Sequence, residues 1–138
     1  MTRHGFRVPD ATLEKSIALP ASDGSVYTAS IDLGAALGDR DFVAECELLI
    51  NAPVLTTTEL PDDDTATYKL QHSTDDSTFT TLSDAILVQT GASSAGAAAA
   101  SVRARIPTDA ARYIRLAVTT AGTSGDCSGK SATLKLKF

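Results

Sequence analysis

The residues best suited to chemistry lie in a few short stretches, and the first is SGDCSGKS (124–131). A phosphate-cradling loop reads G-x-x-x-x-G-K-[ST], and it opens a helix whose backbone N–H groups close on the phosphates. Gly129, Lys130 and Ser131 satisfy the end of that pattern, but Ser124 stands where its first glycine belongs. The residues that follow, ATLKLKF, alternate as a strand, so no helix N-terminus is available. The segment reads as a flexible hairpin loop. A second stretch, HSTDD (72–76), holds the residue types of a base, a nucleophile and an acid. His72 and Ser73 are neighbours on an alternating segment, however, and neighbouring strand side chains point to opposite faces. The chain's other histidine is His4, near the N-terminus, so no base stands in reserve. An Asp/Ser-rich turn is the better reading.

Acidic runs at Asp62–Asp64 and Asp75–Asp76 offer the oxygen ligands that calcium prefers. The EF-hand spacing fails, because Ala66 stands where a third ligand belongs and no glycine follows. Zinc needs three or four Cys or His ligands, and the chain has only Cys46, Cys127, His4 and His72, widely scattered. Cys46 shares a strand face with Phe42, Ala44, Leu48 and Ile50, the place of a small buried hydrophobe. Cys127 sits in the Gly/Ser-rich loop. With no secretion signal, both are expected as free thiols. Nothing here requires a cofactor or a metal, and no paired carboxylates or activated nucleophile emerge. The chain reads as a binding or structural module and not as an enzyme.

The segments that carry these residues have the two-residue period of strands. KSIAL (15–19), VYTASIDL (26–33), DFVAECELLI (41–50), TATYKLQH (65–72), TFTTL (78–82), AILVQT (85–90), SVRARI (101–106), RYIRLAVTT (112–120) and SATLKLKF (131–138) recur at short spacing, separated by turn-prone stretches. In the second of these, Tyr27, Ala29, Ile31 and Leu33 share a face against Val26, Thr28, Ser30 and Asp32. A short edge strand fits around Val54–Thr58. The Ala run in GASSAGAAAASV (91–102) favours helix by propensity, but Gly91 and Gly96 interrupt it and no large side chain supports it. It reads as a long flexible loop with one helical turn at Ala97–Ala100.

Composition agrees with strands: 22 Ala, 18 Thr and 13 Ser, but only 5% aromatic residues and no Trp. At 138 residues the chain makes one domain. The expectation is an all-β, single-domain antiparallel β-sandwich of about eight strands over residues 14–138, with residues 1–13 as a flexible N-terminal arm. Jelly-roll and immunoglobulin-like topologies both suit such spacing, and the missing core Trp favours the jelly roll. A formal charge of −5 argues against nucleic acid as the main partner. No apolar run reaches 18 residues, so no membrane partner is expected, and the N-terminus reads as that of a mature cytoplasmic protein. Charge is unevenly spread, at −11 over residues 23–89 and +5 over residues 90–138.

Taken together, SIDLG (30–34), LQHSTDDSTFTTL (70–82), VQTG (88–91) and RIPTDAARYIRLAVTTAGTSGDCSGKSATLKLKF (105–138) resemble the small cement or decoration proteins of tailed-phage capsids. The resemblance implies a jelly roll that binds the outside of a shell between major capsid protein subunits. It implies a virion location on the capsid surface after synthesis in the bacterial cytoplasm, and a homo-oligomer such as a dimer or trimer. On that reading Arg3, His4, Phe6 and Arg7 of the arm, with Arg103, Arg105, Arg112 and Arg115, contact the capsid or a neighbouring copy. The competing reading of the four later arginines is a strand face paired with acids such as Glu45 and Glu47. YKLQHSTDDSTFTTL also resembles a turn of discoidin-like sugar-binding sandwiches, which makes a carbohydrate-binding or adhesion module of a phage tail or fibre the alternative. Most of the seven aromatics fall at inward positions, which leaves little for a sugar platform.

Overall fold

A computed structural model describes residues 9–34 and 47–137. Among these residues nine strands run in order: β1 (Pro9–Ala18), β2 (Gly24–Tyr27), β3 (Ile31–Asp32), β4 (Glu47–Ala52), β5 (Thr65–Ser73), β6 (Thr80–Thr90), β7 (Ala100–Arg105), β8 (Tyr113–Ala121) and β9 (Ser131–Lys137). All pairings are antiparallel, in sheets ordered β1-β9-β4-β7 and β2-β8-β5-β6, with β3 also on β8. The pairing is nested. First meets last (β1 with β9), β2 and β3 meet β8, β4 meets β7, and β5 meets β6. A long hairpin rolled over on itself has this order, and counting β2 and β3 as one interrupted strand gives, among the described residues, the eight strands of the jelly roll expected from the sequence.

Alternation decides which side chains go inside. Leu48 and Ile50 of β4, Ala66, Tyr68 and Leu70 of β5, Ile114, Leu116 and Val118 of β8, and Ala132, Leu134 and Leu136 of β9 fill the space between the sheets. Large side chains from the facing sheets form one continuous core, each contributing about 1.5–3 kcal/mol by leaving water. On the edge strand β1, Lys15 occupies an inward position opposite Leu134. An inward-pointing charge at an edge discourages another chain from adding to it.

Several expectations change. The arm was expected to run to residue 13, but Pro9–Ala18 form a strand on β9, with an irregularity between Pro9 and Glu14, so the sandwich begins no later than Pro9. Residues 1–8 lie outside the described residues, as do Phe42, Ala44 and Cys46. VYTASIDL is two strands and not one. Val26 pairs with Val118 and Tyr27 with Ala117, but Ile31 pairs with Ile114, so the chain carries one extra residue between them. Thr28 closes the gap: its N–H donates to the Leu116 carbonyl at 2.9 Å, and its Oγ1 accepts the Leu116 N–H at 3.0 Å. Such a bulge reverses the phase of the strand. Val26 and buried Thr28 therefore share the inner side with Ile31, while Tyr27 turns outward.

The two strands expected at 78–82 and 85–90 are one, β6, which stays on β5 through two register shifts and an Ala85 at φ 53°. The expected helical turn at Ala97–Ala100 is absent. Ala92 and Gly96 close a tight turn, Ala97 exchanges both backbone bonds with Leu55 (2.8 and 2.9 Å), and Ala100 opens β7. Small side chains let two backbones lie together, and that pairing outweighs an Ala helix preference of under about 1 kcal/mol per residue.

Candidate functional site

The outer face of the β2-β8-β5-β6 sheet collects the most unusual side chains. Ser25, Thr119 and Thr67 lie in one row across β2, β8 and β5, and Arg115 of β8 lies opposite Gln71 of β5. The Arg115 guanidinium packs over two rings, its Cζ 4.1 Å from the centroid of Tyr27 and 3.9 Å from that of Phe79. Its Nε donates to Gln71 Oε1 at 2.8 Å. Each stacking contact is worth about 0.5–1 kcal/mol at an exposed site. Partial burial against the rings pushes the guanidinium pKa down, while Tyr27 and Asp76 pull it back up, and arginine stays charged throughout. No acceptor among the described residues takes its two terminal nitrogens. One row along, Lys69 pairs with Asp84 at 3.0 Å, and two rows along Ser25 Oγ and Thr119 Oγ1 are 2.7 Å apart.

This cluster corrects the expectation that too few aromatics face outward for a platform. Tyr27 is 44% exposed, Phe79 and Tyr113 are half-buried, and among the described aromatics it is Tyr68 that lies in the core. Sequence reasoning placed Tyr27 with Ile31 and Leu33, and the one-residue bulge at 28–30 inverts that. The signal was present in outline, since Val26 and Ile31 are apolar in opposite phases of one alternation.

The four arginines expected to form one contact set do not come together. Arg112 is a clasp, its Nε and Nη2 each 2.8 Å from an Asp32 carboxylate oxygen, with the Tyr113 ring 5.1 Å away. Asp32 pushes the Arg112 pKa up and also accepts the Gly34 N–H, so the pair ties the end of β3 to the start of β8. Arg103 and Arg105 lie on the outer face of the other sheet. Successive rows there read Lys137, Glu47, Arg105; then Glu14, Lys135, Leu49, Arg103; then Ser16, Thr133, Asn51, Ser101. Arg105 lies directly across from Glu47, and Lys135 pairs with Glu14 at 3.3 Å. Arg3, His4, Phe6 and Arg7 lie outside the described residues, as does Glu45.

The suspected catalytic and metal-binding stretches are occupied by structural bonds. His72 Nδ1 accepts the Ala111 N–H at 3.0 Å, and Ser73 Oγ donates to Asp75 at 2.7 Å. The Asp75 carboxylate also accepts the Thr78 and Ser77 N–H groups, and these bonds hold its pKa below the usual range. Asp64 accepts the Thr123 N–H at 2.7 Å, pinning the loop after β8. The loop expected to be flexible is anchored by Cys127, a fully buried free thiol whose N–H donates to the Pro20 carbonyl. Its Sγ lies 3.3 Å from the Glu59 carbonyl oxygen, and burial pushes its pKa up. Among the described residues no three His, Cys, Asp or Glu side chains gather to hold a metal, and every buried side-chain nitrogen and oxygen has a partner.

No family model matches the chain, and no curated protein matches it. Among solved structures it is similar to the C-terminal family 22 carbohydrate-binding module of Clostridium thermocellum Xyn10B, with 17% identity and a TM-score of 0.39. The match spans 99% of this chain and 94% of that one. A likeness this loose assigns nothing to the present chain, whose fold rests on its own strand order and whose site rests on its own side chains.

Proposed function

We propose that the protein is a non-enzymatic cement or decoration protein of a tailed-phage capsid, binding the outside of the shell as a homo-oligomer and stabilising contacts between major capsid protein subunits. The observation that carries the reading is the outer face of the β1-β9-β4-β7 sheet. In a chain of net charge −5, that face sets, among the described residues, four cations (Arg103, Arg105, Lys135 and Lys137) against two carboxylates (Glu14 and Glu47). A locally positive, rigid face on an acidic protein suits an acidic partner surface. A cement protein acts by mass action, binding the assembled lattice and not its free subunits, so modest affinity per copy suffices when many copies engage.

Co-sedimentation with empty shells of the major capsid protein tests this. Binding should saturate at a fixed number of copies per shell, weaken as salt rises, and raise the temperature at which shells open. Absence of binding at low salt refutes it.

A second reading, a glycan-recognition or adhesion module, is favoured by the Tyr27–Arg115–Phe79 stack. Aromatic rings beside hydroxyl and amide groups are the usual furniture of a small-ligand surface. Binding to a glycan array, lost in Tyr27→Ala, would bring it to the front.

A further inference from the structure

We propose that Arg115 is a preorganised receptor for a carboxylate, and that its ligand is a uronic-acid-bearing glycan. The inference rests on the glycan-recognition reading and names the ligand class.

A guanidinium binds a carboxylate through two parallel N–H···O bonds, and the geometry is demanding because both groups are planar. An ordinary surface arginine must give up rotamer freedom to reach that arrangement. Arg115 has already done so. Tyr27 and Phe79 both pack against the guanidinium, and the bond from Nε to Gln71 Oε1 ties it to β5. The two terminal nitrogens are the donors left over, and no acceptor among the described residues takes them. Asp76 is the nearby carboxylate that favours the guanidinium charge, but it forms no ion pair with it. The guanidinium is thus oriented, charged and open along one edge.

The surroundings favour a sugar over an acidic peptide. Tyr27, 44% exposed, offers a ring edge and hydroxyl, and Ser25, Thr119 and Thr67 form a polar row on the same face. Hydroxyl and amide groups beside an aromatic match the many hydroxyls of a pyranose. A cluster of lysines, which an acidic peptide would meet more effectively, is absent from this face among the described residues. Lys69 is engaged by Asp84.

The test is affinity electrophoresis of the full-length protein in gels containing polygalacturonate, neutral galactan or poly-glutamate, with Arg115→Lys and Tyr27→Ala beside the wild type. Thermal melts verify that both variants fold. Retardation by polygalacturonate and not by galactan is expected, weakened about tenfold or more in Arg115→Lys. That variant keeps the net charge, so the loss reports the fork and not long-range attraction. Equal retardation by galactan overturns the carboxylate receptor while leaving the glycan reading in place. Retardation by poly-glutamate alone overturns the glycan ligand and points to a protein carboxylate. Unchanged binding in Arg115→Lys removes Arg115 from the site. Retardation by none of the three refutes both the receptor and the glycan reading.

Discussion

Gln89 shows how much a single buried side chain can organise. Its Oε1 accepts the Tyr68 hydroxyl at 2.7 Å, and its Nε2 donates to the Pro53 and Ala98 carbonyls, both at 2.8 Å. One amide therefore joins the core to the connections on either side of it, and burial raises the Tyr68 pKa so that the phenol stays a neutral donor. Gln89→Leu strands these partners and should cost about 2–3 kcal/mol in denaturant unfolding, against about 1–2 for Tyr68→Phe. A double-mutant cycle should show the pair to be non-additive. Asp75 acts through charge. Hydrogen bonds from Thr78, Ser73 and Ser77 lower its folded pKa, so the unfolded chain takes up the proton first as pH falls. Its contribution is complete above the unfolded value of about 3.9 and is lost as pH drops through the lower folded value. Asp75→Asn should flatten the fall in melting temperature between about pH 5 and pH 2. Parallel curves for the two proteins would remove Asp75 from the acid response.

At the scale of elements, backbone bonds pin the connection between β4 and β5 against the turn after β6. Gly91 packs so closely on the connection before β5 that an added Cβ would overlap the Pro61 carbonyl; its N–H donates to the Asp64 carbonyl at 2.9 Å and its own carbonyl accepts the Asp63 N–H at 3.1 Å. Gly91→Ala should therefore cost about 2–3 kcal/mol in thermal or denaturant melts. Gly129 has open space around its Cβ direction, and Gly129→Ala should be neutral or stabilise by up to about 0.5 kcal/mol. Both glycines sit in stretches that look alike in composition. Strand existence was legible in sequence because period-two alternation is local, and it succeeded for β4, β5, β7, β8 and β9. The β2–β3 break was not legible, because a bulge is decided by what the partner strand β8 can pair with.

For the whole molecule, the division of charged groups between two outer faces matters most. Arg103 and Arg105 face one way with Lys135 and Lys137, while Arg115 faces the other, on the opposite sheet of the sandwich. Charge reversal at Arg103→Glu with Arg105→Glu should reduce copies bound per shell at least several-fold at low salt, with a smaller effect on the free protein's melting temperature. Retained stoichiometry and affinity would move the contact off that face. The two faces thus admit separate tests, one by shell binding and one by glycan binding.

Alternating apolar residues determined the sandwich by themselves, because a strand that is apolar on one side folds stably only against another such face. The nested hairpin order also left traces, in strands bounded by turns at short spacing. Tertiary structure alone decided which arginines meet. Arg112 found Asp32 across 80 residues of sequence, and Arg115 found Tyr27 only because one extra residue at Thr28–Ser30 turned that ring to the outside. Alternation records which side of a strand is apolar, but a single inserted residue reverses it, and only the pairing with β8 reveals the insertion.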